Sequence, residues 1–438
     1  MENIEHLQSS NVSIGEKEDG TRVYAKVTRR LIPLLFMSYV VAYLDRVNIG
    51  FAKLQMLQDL NFSETVYGLG AGIFFIGYIL FEIPSNIILH RVGARLWIAR
   101  VMITWAIISA GTMFVTTPTM FYILRFALGI AEAGLFPGVI LYLTYWYPSG
   151  RRSKMISLFY TAVPVAGIIG GPVSGWIMHS MAGINGWAGW QWLLLIEAIP
   201  SIAMAVVILF FLDDRVAKAK WLTDDERAII EHDISRDQMQ AHSHNLGEGF
   251  TNPKVWFMVG IYFFFAVGLQ GVSFFLPTLI KNTGVTDPVA IGWISSLPYI
   301  AAVIALILTS RSSDARRERR WHITVPALLG AMCWLIASTY STNVLVAMFA
   351  LSIVTCCVVV TISQFWCLPT SILSGAAAAA GIAVINSVGN LSSFFGPFII
   401  GYATEKTHST AFGLYMLAAS LAIGGLLVLG VRKEWVNH

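Results

Sequence analysis

Residues 38–50 read SYVVAYLDRVNIG, which places an acid, Asp45, beside a base, Arg46, in an otherwise apolar helical stretch. An ionisable side chain at membrane depth is costly, so its presence there indicates a functional site. A second apolar stretch, RFALGIAEAG, begins with Arg125 and carries Glu132 two helical turns later, roughly 10 Å along the helix axis. The sequence therefore predicts four charges gathered around a central cavity.

The composition indicates a polytopic membrane protein. Hydrophobic residues make up 56% of the 438 and charged residues only 12%, against roughly 25% charged in soluble domains. Repeated apolar runs separated by short loops predict a helix bundle rather than several soluble domains. The formal net charge of +4 comes from basic residues in loops, which report orientation and do not indicate a nucleic-acid partner.

We expect an all-α integral membrane protein with twelve transmembrane helices. The expected spans are residues 30–52, 65–89, 94–115, 118–147, 153–181, 190–212, 254–281, 288–310, 322–340, 343–369, 376–403 and 410–431. One long polar connection divides the chain six plus six. The expected domains are a cytoplasmic N-terminal tail (1–28), a first six-helix bundle (29–212), a cytoplasmic linker (213–252), a second six-helix bundle (253–431) and a cytoplasmic C-terminal tail (432–438).

Basic residues in the loops predict the orientation in the membrane. Arginines and lysines cluster before the first span and in the loops on that side, whereas the opposite loops hold little beyond Lys53, Lys281 and Lys406. We therefore expect both termini to be cytoplasmic and the protein to lie in the inner (plasma) membrane of the cell.

The sequence indicates neither a metal nor a cofactor site. Thr223 is the expected N-cap of a helix in the linker, and His242 and His244 in that polar segment are expected to be solvated. The cysteines all fall in apolar runs and are expected to be small buried hydrophobes: Cys333, Cys356, Cys357 and Cys367. Because no nucleophile, metal or cofactor constellation is present, the sequence does not indicate an enzyme.

Glycines and prolines predict how the helices pack and bend. Seven glycines are expected to form small-residue packing faces: Gly68, Gly70, Gly72, Gly167, Gly170, Gly171 and Gly175. Five prolines are expected to kink or loosen their helices, which suits a bundle that rocks: Pro84, Pro137, Pro164, Pro172 and Pro369.

The four charges suggest linked binding of protons and an anion. Asp45 and Glu132 are candidate proton carriers, because a carboxyl in a low-dielectric environment resists ionisation. Arg46 and Arg125 are candidate anchors for a carboxylate, since a guanidinium matches its geometry. A substrate carboxylate at Arg125 would free Glu132 from pairing with that arginine. The alternative is that these residues form structural ion pairs, or that Arg125 only bonds backbone carbonyls.

The two halves are expected to be pseudo-symmetric repeats. Asp45 lies sixteen residues after Arg29, and Gln270 lies sixteen residues after Lys254, at the start of the second half. Neutral polar groups thus stand where the first half has charges, so we assign proton chemistry to the first half. Further candidate substrate contacts, each equally able to bridge helices or pack, are Tyr43, Tyr78, Gln270, Gln364, Phe365, Trp366, Asn386 and Asn390, with Asn390 favoured over Asn386.

Several stretches resemble the major facilitator superfamily and, within it, the anion:cation symporter family. They are residues 43–50, 83–86, 91–95, 125–134, 186–192, 365–370 and 381–390. The chain looks most like the branch that holds tartrate, 4-hydroxyphenylacetate, phthalate and rhamnonate permeases. The resemblance implies a major facilitator fold and uptake of small organic carboxylates with protons by alternating access.

Residue roles follow from the same resemblance. Acids at the positions of Asp45 and Glu132 handle protons, and the residues that contact substrate match Arg46, Tyr78, Arg125 and Asn390. The loop residues implied in gating are Arg91, Gly93, Arg95, Asp314 and Arg316. His90 stands before Arg91 where the wider superfamily has an acid, which leaves the gating partner of that loop open.

We therefore expect a symporter for a hydroxy, sugar or aromatic acid whose partners are the small organic anion, protons and the lipid bilayer, and which acts as a monomer. Two alternatives remain. A carboxylate exchanger or uncoupled facilitator would tolerate Asp45→Asn, and a non-transporting nutrient sensor would be expected to carry a signalling domain.

Overall fold

The computed structural model describes residues 2–241, 251–372 and 375–436, with side chains over 20–152, 154–237, 251–369 and 381–435. His242 and His244 lie outside these ranges. The described part of the chain consists of helices and short connections and contains no strand.

Eighteen α-helices follow one another along the described chain. They are α1 (Glu2–Asp59), α2 (Glu64–Val92), α3 (Ala94–Gly111), α4 (Pro118–Glu132), α5 (Leu135–Thr144), α6 (Ser149–Tyr160), α7 (Ala162–Ser180), α8 (Gly189–Phe211), α9 (Asp224–Ala241), α10 (Pro253–Asn282), α11 (Pro288–Arg316), α12 (Arg320–Thr339), α13 (Val344–Phe365), α14 (Cys367–Ile372), α15 (Gly375–Gly389), α16 (Leu391–Thr407), α17 (Ala411–Leu429) and α18 (Lys433–Val436).

Twelve stretches of the described chain are long and apolar enough to cross a membrane, which confirms the expected number. Four of them combine two helices: α4 with α5, α6 with α7, α13 with α14, and α15 with α16. Most boundaries agree with the sequence within a few residues. The first span is the exception, because its helix α1 begins well before residue 30 and continues to Asp59.

The early start of the first span has a packing reason. Val23 and Val27 are buried, and the Tyr24 hydroxyl donates to the Asp233 carboxylate of α9 at 3.1 Å. Lys26 pairs with Glu226 at 2.7 Å. Linker helix α9 therefore covers the polar end of α1. Thr223 caps α9 as expected, since its hydroxyl accepts a hydrogen bond from the backbone N–H of Glu226.

Three of the four breaks inside spans lie about four residues before a proline. The break at Ala133 precedes Pro137, the break at Thr161 precedes Pro164, and the break at Trp366 precedes Pro369. A proline lacks the N–H that would bond to the carbonyl four residues earlier and clashes with it, so the helix opens there. Pro84 and Pro172 lie inside helices that continue without a break.

Two groups of helices enclose the centre of the molecule, and we call α1–α8 the N-half and α10–α17 the C-half. Because the number of spans is even, the outer end of the first span and that of the last lie on one face, the termini face. The opposite face, the far face, carries the connections at 60–63, 181–188 and 283–287. Direct contact between the halves includes α7 against α11 and α2 against α16.

Close backbone approach holds the halves together toward the far face. A Cβ atom on Gly171 would lie 2.4 Å from the carbonyl oxygen of Gly292, and a Cβ on Gly68 would lie 2.4 Å from that of Pro397. Only glycine allows helices to pack this closely, which confirms the expected packing role of these two positions.

Gly171→Leu should therefore destabilise the contact between α7 and α11. Overpacking of this kind costs about 1–3 kcal/mol, so the thermal unfolding temperature of the purified protein should fall by several degrees. Gly260→Leu is the control, because nothing lies within 4 Å of a Cβ atom there. Equal unfolding temperatures for the two variants would contradict the contact.

Candidate functional site: a cavity between the two halves

A narrow cavity of about 50 Å³ lies between the halves. It is lined by Tyr39, Tyr43, Arg46, Phe75, Tyr78, Phe136, Tyr160, Tyr262, Leu269, Gln270, Trp366, Asn386 and Asn390. This volume is far below the roughly 300–1,000 Å³ of most ligand pockets. A volume of this size has room for only a few water molecules, so an organic ligand would require the halves to move apart.

Arg46 is the charged residue among the described residues that line the cavity. Its guanidinium donates to Glu132 of α4 and lies 5.4 Å from the ring centre of Phe74 and 5.6 Å from that of Tyr78. The side chain of Arg46 is 15% exposed and that of Glu132 only 1%. The cation is thus held at the cavity edge with one side still accessible.

Arg125 does not occupy the expected position. It lies outside the cavity lining, donates from Nε to the carbonyl oxygen of Gly70 at 3.3 Å and faces the ring of Phe74 at 5.0 Å. The expected pairing of Arg125 with Glu132 is wrong, because two helical turns separate them whereas Arg46 reaches Glu132 from α1. Arg125 instead lies within electrostatic reach of Asp45.

Asp45 faces the interior of the N-half, although its neighbour Arg46 lines the cavity. Its Oδ1 accepts hydrogen bonds from Ser109 of α3 at 2.5 Å and from Asn48 at 3.4 Å. Its Oδ2 is buried without a hydrogen-bond partner among the described residues. Consecutive residues on a helix point about 100° apart, which separates the two charges.

The C-half supplies neutral polar groups to the cavity, as expected. Gln270 donates to Ser393 at 3.0 Å, and Asn390 donates to Asn386 at 3.3 Å. From the N-half, the Tyr43 hydroxyl lies 2.8 Å from that of Ser273 and joins the halves across the cavity.

Gln364 is not part of the cavity. It lies on α13, two residues before the break at Trp366, and donates to Ser310 of α11 at 2.9 Å. In this conformation it bridges two helices, which is the alternative that the sequence left open for it. Trp366 does line the cavity, where its ring packs against Tyr262 with centroids 5.0 Å apart.

Glu82 links the halves on the termini side of the cavity. It lies one turn after Tyr78 on α2 and is only 3% exposed. Its two carboxylate oxygens accept hydrogen bonds from Asn386 at 2.9 Å and Ser387 at 3.0 Å, both on α15. The cavity is therefore bounded by the glycine contacts toward the far face and by Glu82 toward the termini face.

The loop residues expected to act in gating lie on the termini face. Gly93 joins α2 to α3 with a φ of +102°, and a Cβ there would lie 2.7 Å from the Asp214 carboxylate. That carboxylate accepts the backbone N–H of Arg95 at 2.9 Å. Asp214 is therefore the acidic residue that contacts this loop, for which the sequence had left the partner open.

The equivalent second-half loop has its own ion pair. Asp314 pairs with Arg319 at 2.6 Å. Arg91 and Arg316 are exposed on the same face.

Sequence reasoning missed two buried carboxylates and most of the aromatic lining. Glu82 and Glu197 stand in apolar helices, the same signal that identified Asp45. Tyr39 lies one turn before Tyr43 on the face that reaches the cavity, so helical spacing could have identified it. The other missed lining residues are Phe75, Phe136, Tyr160, Tyr262 and Leu269, whose orientation depends on tertiary packing.

Comparisons with known proteins point to one family. The sequence profile of the Major Facilitator Superfamily matches residues 35–397. Metabolite transport protein NicT of Pseudomonas putida is 44% identical over 96% of this chain and 97% of its own. A protein of Agrobacterium vitis named as a tartrate transporter is 47% identical over 95% of this chain and 94% of its own.

Inner membrane transport protein RhmT of Escherichia coli is 35% identical over 92% of this chain and 94% of its own. Among solved structures, a D-xylose-proton symporter is similar in fold, with a TM-score of 0.72 and 17% identity over 91% of this chain and 96% of that chain.

If the hydrogen bonds of Glu82 close the cavity on the termini side, their removal should make the cavity more accessible to reagents from that side. In a background without native cysteines, Leu269→Cys places a reporter thiol in the apolar part of the lining. Glu82→Ala removes both hydrogen bonds to α15, so a hydrophilic thiol reagent should label the reporter several times faster. Ser387→Ala removes one bond and should have a smaller effect. Unchanged labelling in Glu82→Ala would show that the link does not restrict access.

Proposed function

The chain belongs to the Major Facilitator Superfamily and is a multi-pass membrane transporter of small molecules, and we propose that it imports a small organic carboxylate by proton symport with alternating access. It is not an enzyme. The proposed orientation, with both termini cytoplasmic in the bacterial inner membrane, rests on the distribution of basic residues between the loops. We propose that the monomer is the working unit.

The position of Arg46 at the cavity edge is the main observation that supports the proposal. A guanidinium at the edge of an aromatic cavity is suited to a carboxylate, and here it is already occupied by one from the protein itself, Glu132. A substrate carboxylate that binds Arg46 displaces Glu132. Because the displaced acid is buried, it is most stable with a proton.

This exchange keeps the charge of the site constant. Before binding, Arg46 and Glu132 sum to zero; after binding, the substrate anion balances Arg46 and the proton neutralises Glu132. A transporter that crosses the membrane with a neutral site avoids moving an unpaired charge through the bilayer. Binding of the anion and uptake of a proton are thereby linked.

The lining defines the class of substrate. Tyrosine hydroxyls and the amides of Gln270, Asn386 and Asn390 suit the hydroxyl groups of a hydroxy or sugar acid, and the name of the A. vitis relative supports that class. The rings of Tyr262 and Trp366 suit the flat face of an aromatic acid. Hydroxy or sugar acids and aromatic acids should therefore both be tested as substrates.

Purified protein in liposomes tests the coupling directly. With an inward acid gradient and a pH dye inside, one of the screened carboxylates should acidify the lumen with native protein, and removal of either candidate proton carrier, in Asp45→Asn or in Glu132→Gln, should abolish this acidification. Exchange of labelled for unlabelled substrate, which needs no net proton movement, should persist in Asp45→Asn.

Uptake without proton movement that survives Asp45→Asn would overturn the symport mechanism. Exchange or facilitated diffusion would then take its place. Absence of any carboxylate uptake or binding by native protein would overturn the substrate class.

Two glutamines provide a matched test of the cavity. Gln270 lines it and Gln364 does not, although both are buried amides in second-half helices. Gln270→Ala should raise the KM for substrate by about five- to tenfold, the effect of losing one neutral hydrogen bond worth about 1–1.5 kcal/mol. Gln364→Ala should leave KM near the native value. Equal effects on KM would place the substrate elsewhere.

A further inference from the structure

A second buried carboxylate of the N-half, Glu197 on α8, takes no part in the exchange at Arg46. It is 5% exposed, and its Oε1 accepts a hydrogen bond from Ser174 of α7 at 2.7 Å. It lies near Asn48 and within electrostatic reach of Asp45. Asn48 also donates to Asp45, so one amide lies between two carboxylates.

Each of these carboxylates has one oxygen without a donor. Asp45 Oδ2 and Glu197 Oε2 are both buried and lack a hydrogen-bond partner among the described residues. A buried acceptor without a donor is costly, and two ionised carboxylates close together in a low dielectric are costlier still. One proton on the pair removes the like-charge repulsion and turns an acceptor into a donor.

The groups that face the pair leave room for one negative charge. Helix α4 contributes Arg125 and Glu132, which interact with Asp45, whereas α3 and α7 contribute the neutral hydroxyls of Ser109 and Ser174. Among the described residues, the groups that act on Glu197 are Ser174, Asn48 and Asp45, with no cation. Arg125 can balance one ionised carboxylate, which favours a pair that carries one proton.

We propose that Asp45 and Glu197 form a shared proton site, in which Asn48 stabilises whichever carboxylate is ionised. The proposal rests on the symport function and names a second residue for its coupling site. The pair titrates as a unit, so its apparent pKa values belong to both groups.

Glu197 is the member of the pair nearer to the far face. It lies about 12 Å along α8 from Gly189, and its partner Ser174 lies about 9 Å along α7 from Ser180, both measured from far-face ends. Asp45 lies about 21 Å along α1 from Asp59. A proton from the far face therefore meets Glu197 first.

The proton transfer is balanced within the pair. The O–H bond on Glu197 breaks as an O–H bond on Asp45 forms, and the negative charge moves the opposite way. The pair then holds the same total charge, and no other reactant is consumed. The cycle closes when Asp45 gives its proton to solvent water on the termini side and Glu197 takes up another proton from water on the far side, which returns the pair to its starting state.

Glu197→Gln tests the proposal in the liposome assay. Substrate-driven proton uptake should fall by about tenfold or more, the usual effect of losing a proton-transferring group, and the pH profile of uptake should flatten. Exchange of labelled substrate should remain near native. Ser201→Ala is the control, because Ser201 is buried one turn along α8 and bonds Trp105 instead of the carboxylates, so it should keep the native pH profile.

Infrared spectroscopy gives a readout that a merely structural role would not change. The C=O band of a protonated carboxylic acid should be present in native protein and lose intensity in both Glu197→Gln and Asp45→Asn, because either substitution breaks the shared site. If Glu197→Gln does not fold, Glu197→Asp replaces it; its shorter side chain withdraws the carboxyl group from Asn48 and should shift the midpoint of the pH profile.

Two different failures can be told apart. If native protein moves no protons with any carboxylate, the proposed symport function fails. If native protein moves protons together with a carboxylate, but Glu197→Gln and Glu197→Asp keep its pH profile and infrared band, only the shared proton site is overturned.

Discussion

The ion pair between Arg46 and Glu132 is the interaction on which the cavity depends. Removing one partner of a buried pair typically costs about 3–5 kcal/mol, because the other charge stays behind uncompensated. In this protein the pair also fixes the guanidinium beside the rings of Phe74 and Tyr78. With Arg46 turned toward the cavity, the next residue back along the helix must face the interior of the N-half. One step along α1 thus separates the place where an anion can bind from the place where a proton can reside.

The two halves make different chemical contributions. The N-half holds the buried charges around Asp45, Arg46 and Glu132, whereas the C-half presents the amides of Gln270 and Asn390 and the rings of Tyr262 and Trp366. Ionised groups need fixed partners in a low dielectric, and all of these partners come from helices of the same half. The N-half can therefore move relative to the C-half without breaking an internal ion pair. Among the described residues, the hydrogen bonds that must be released between the halves on the termini side are those from the neutral donors Asn386 and Ser387 to Glu82.

The sequence predicted features that depend on local chemistry. The length of the apolar runs predicted the twelve spans, and the missing N–H of Pro137, Pro164 and Pro369 predicted three of the breaks. Ionisable residues within apolar runs identified α1 and α4 as helices that contribute charges to the site. The sequence did not predict which charges pair: Arg46, not Arg125, pairs with Glu132, because the Arg46 side chain reaches from α1 to the end of α4. Gln364 and Gln270 both stand in apolar runs, so the sequence does not distinguish them. The rotation of each helix about its own axis makes Gln364 bridge two helices and makes Gln270 line the cavity.

The glycine contacts on the far face have a consequence for how the molecule moves. A carbonyl oxygen packed against a glycine such as Gly171 leaves no space for water or for partial separation, so the contact is either made or lost. Packed interfaces of this kind are bistable rather than continuously deformable. The far face should therefore behave as an all-or-none switch: intermediate widths of the opening stay unpopulated, and ions much smaller than the substrate find no standing leak.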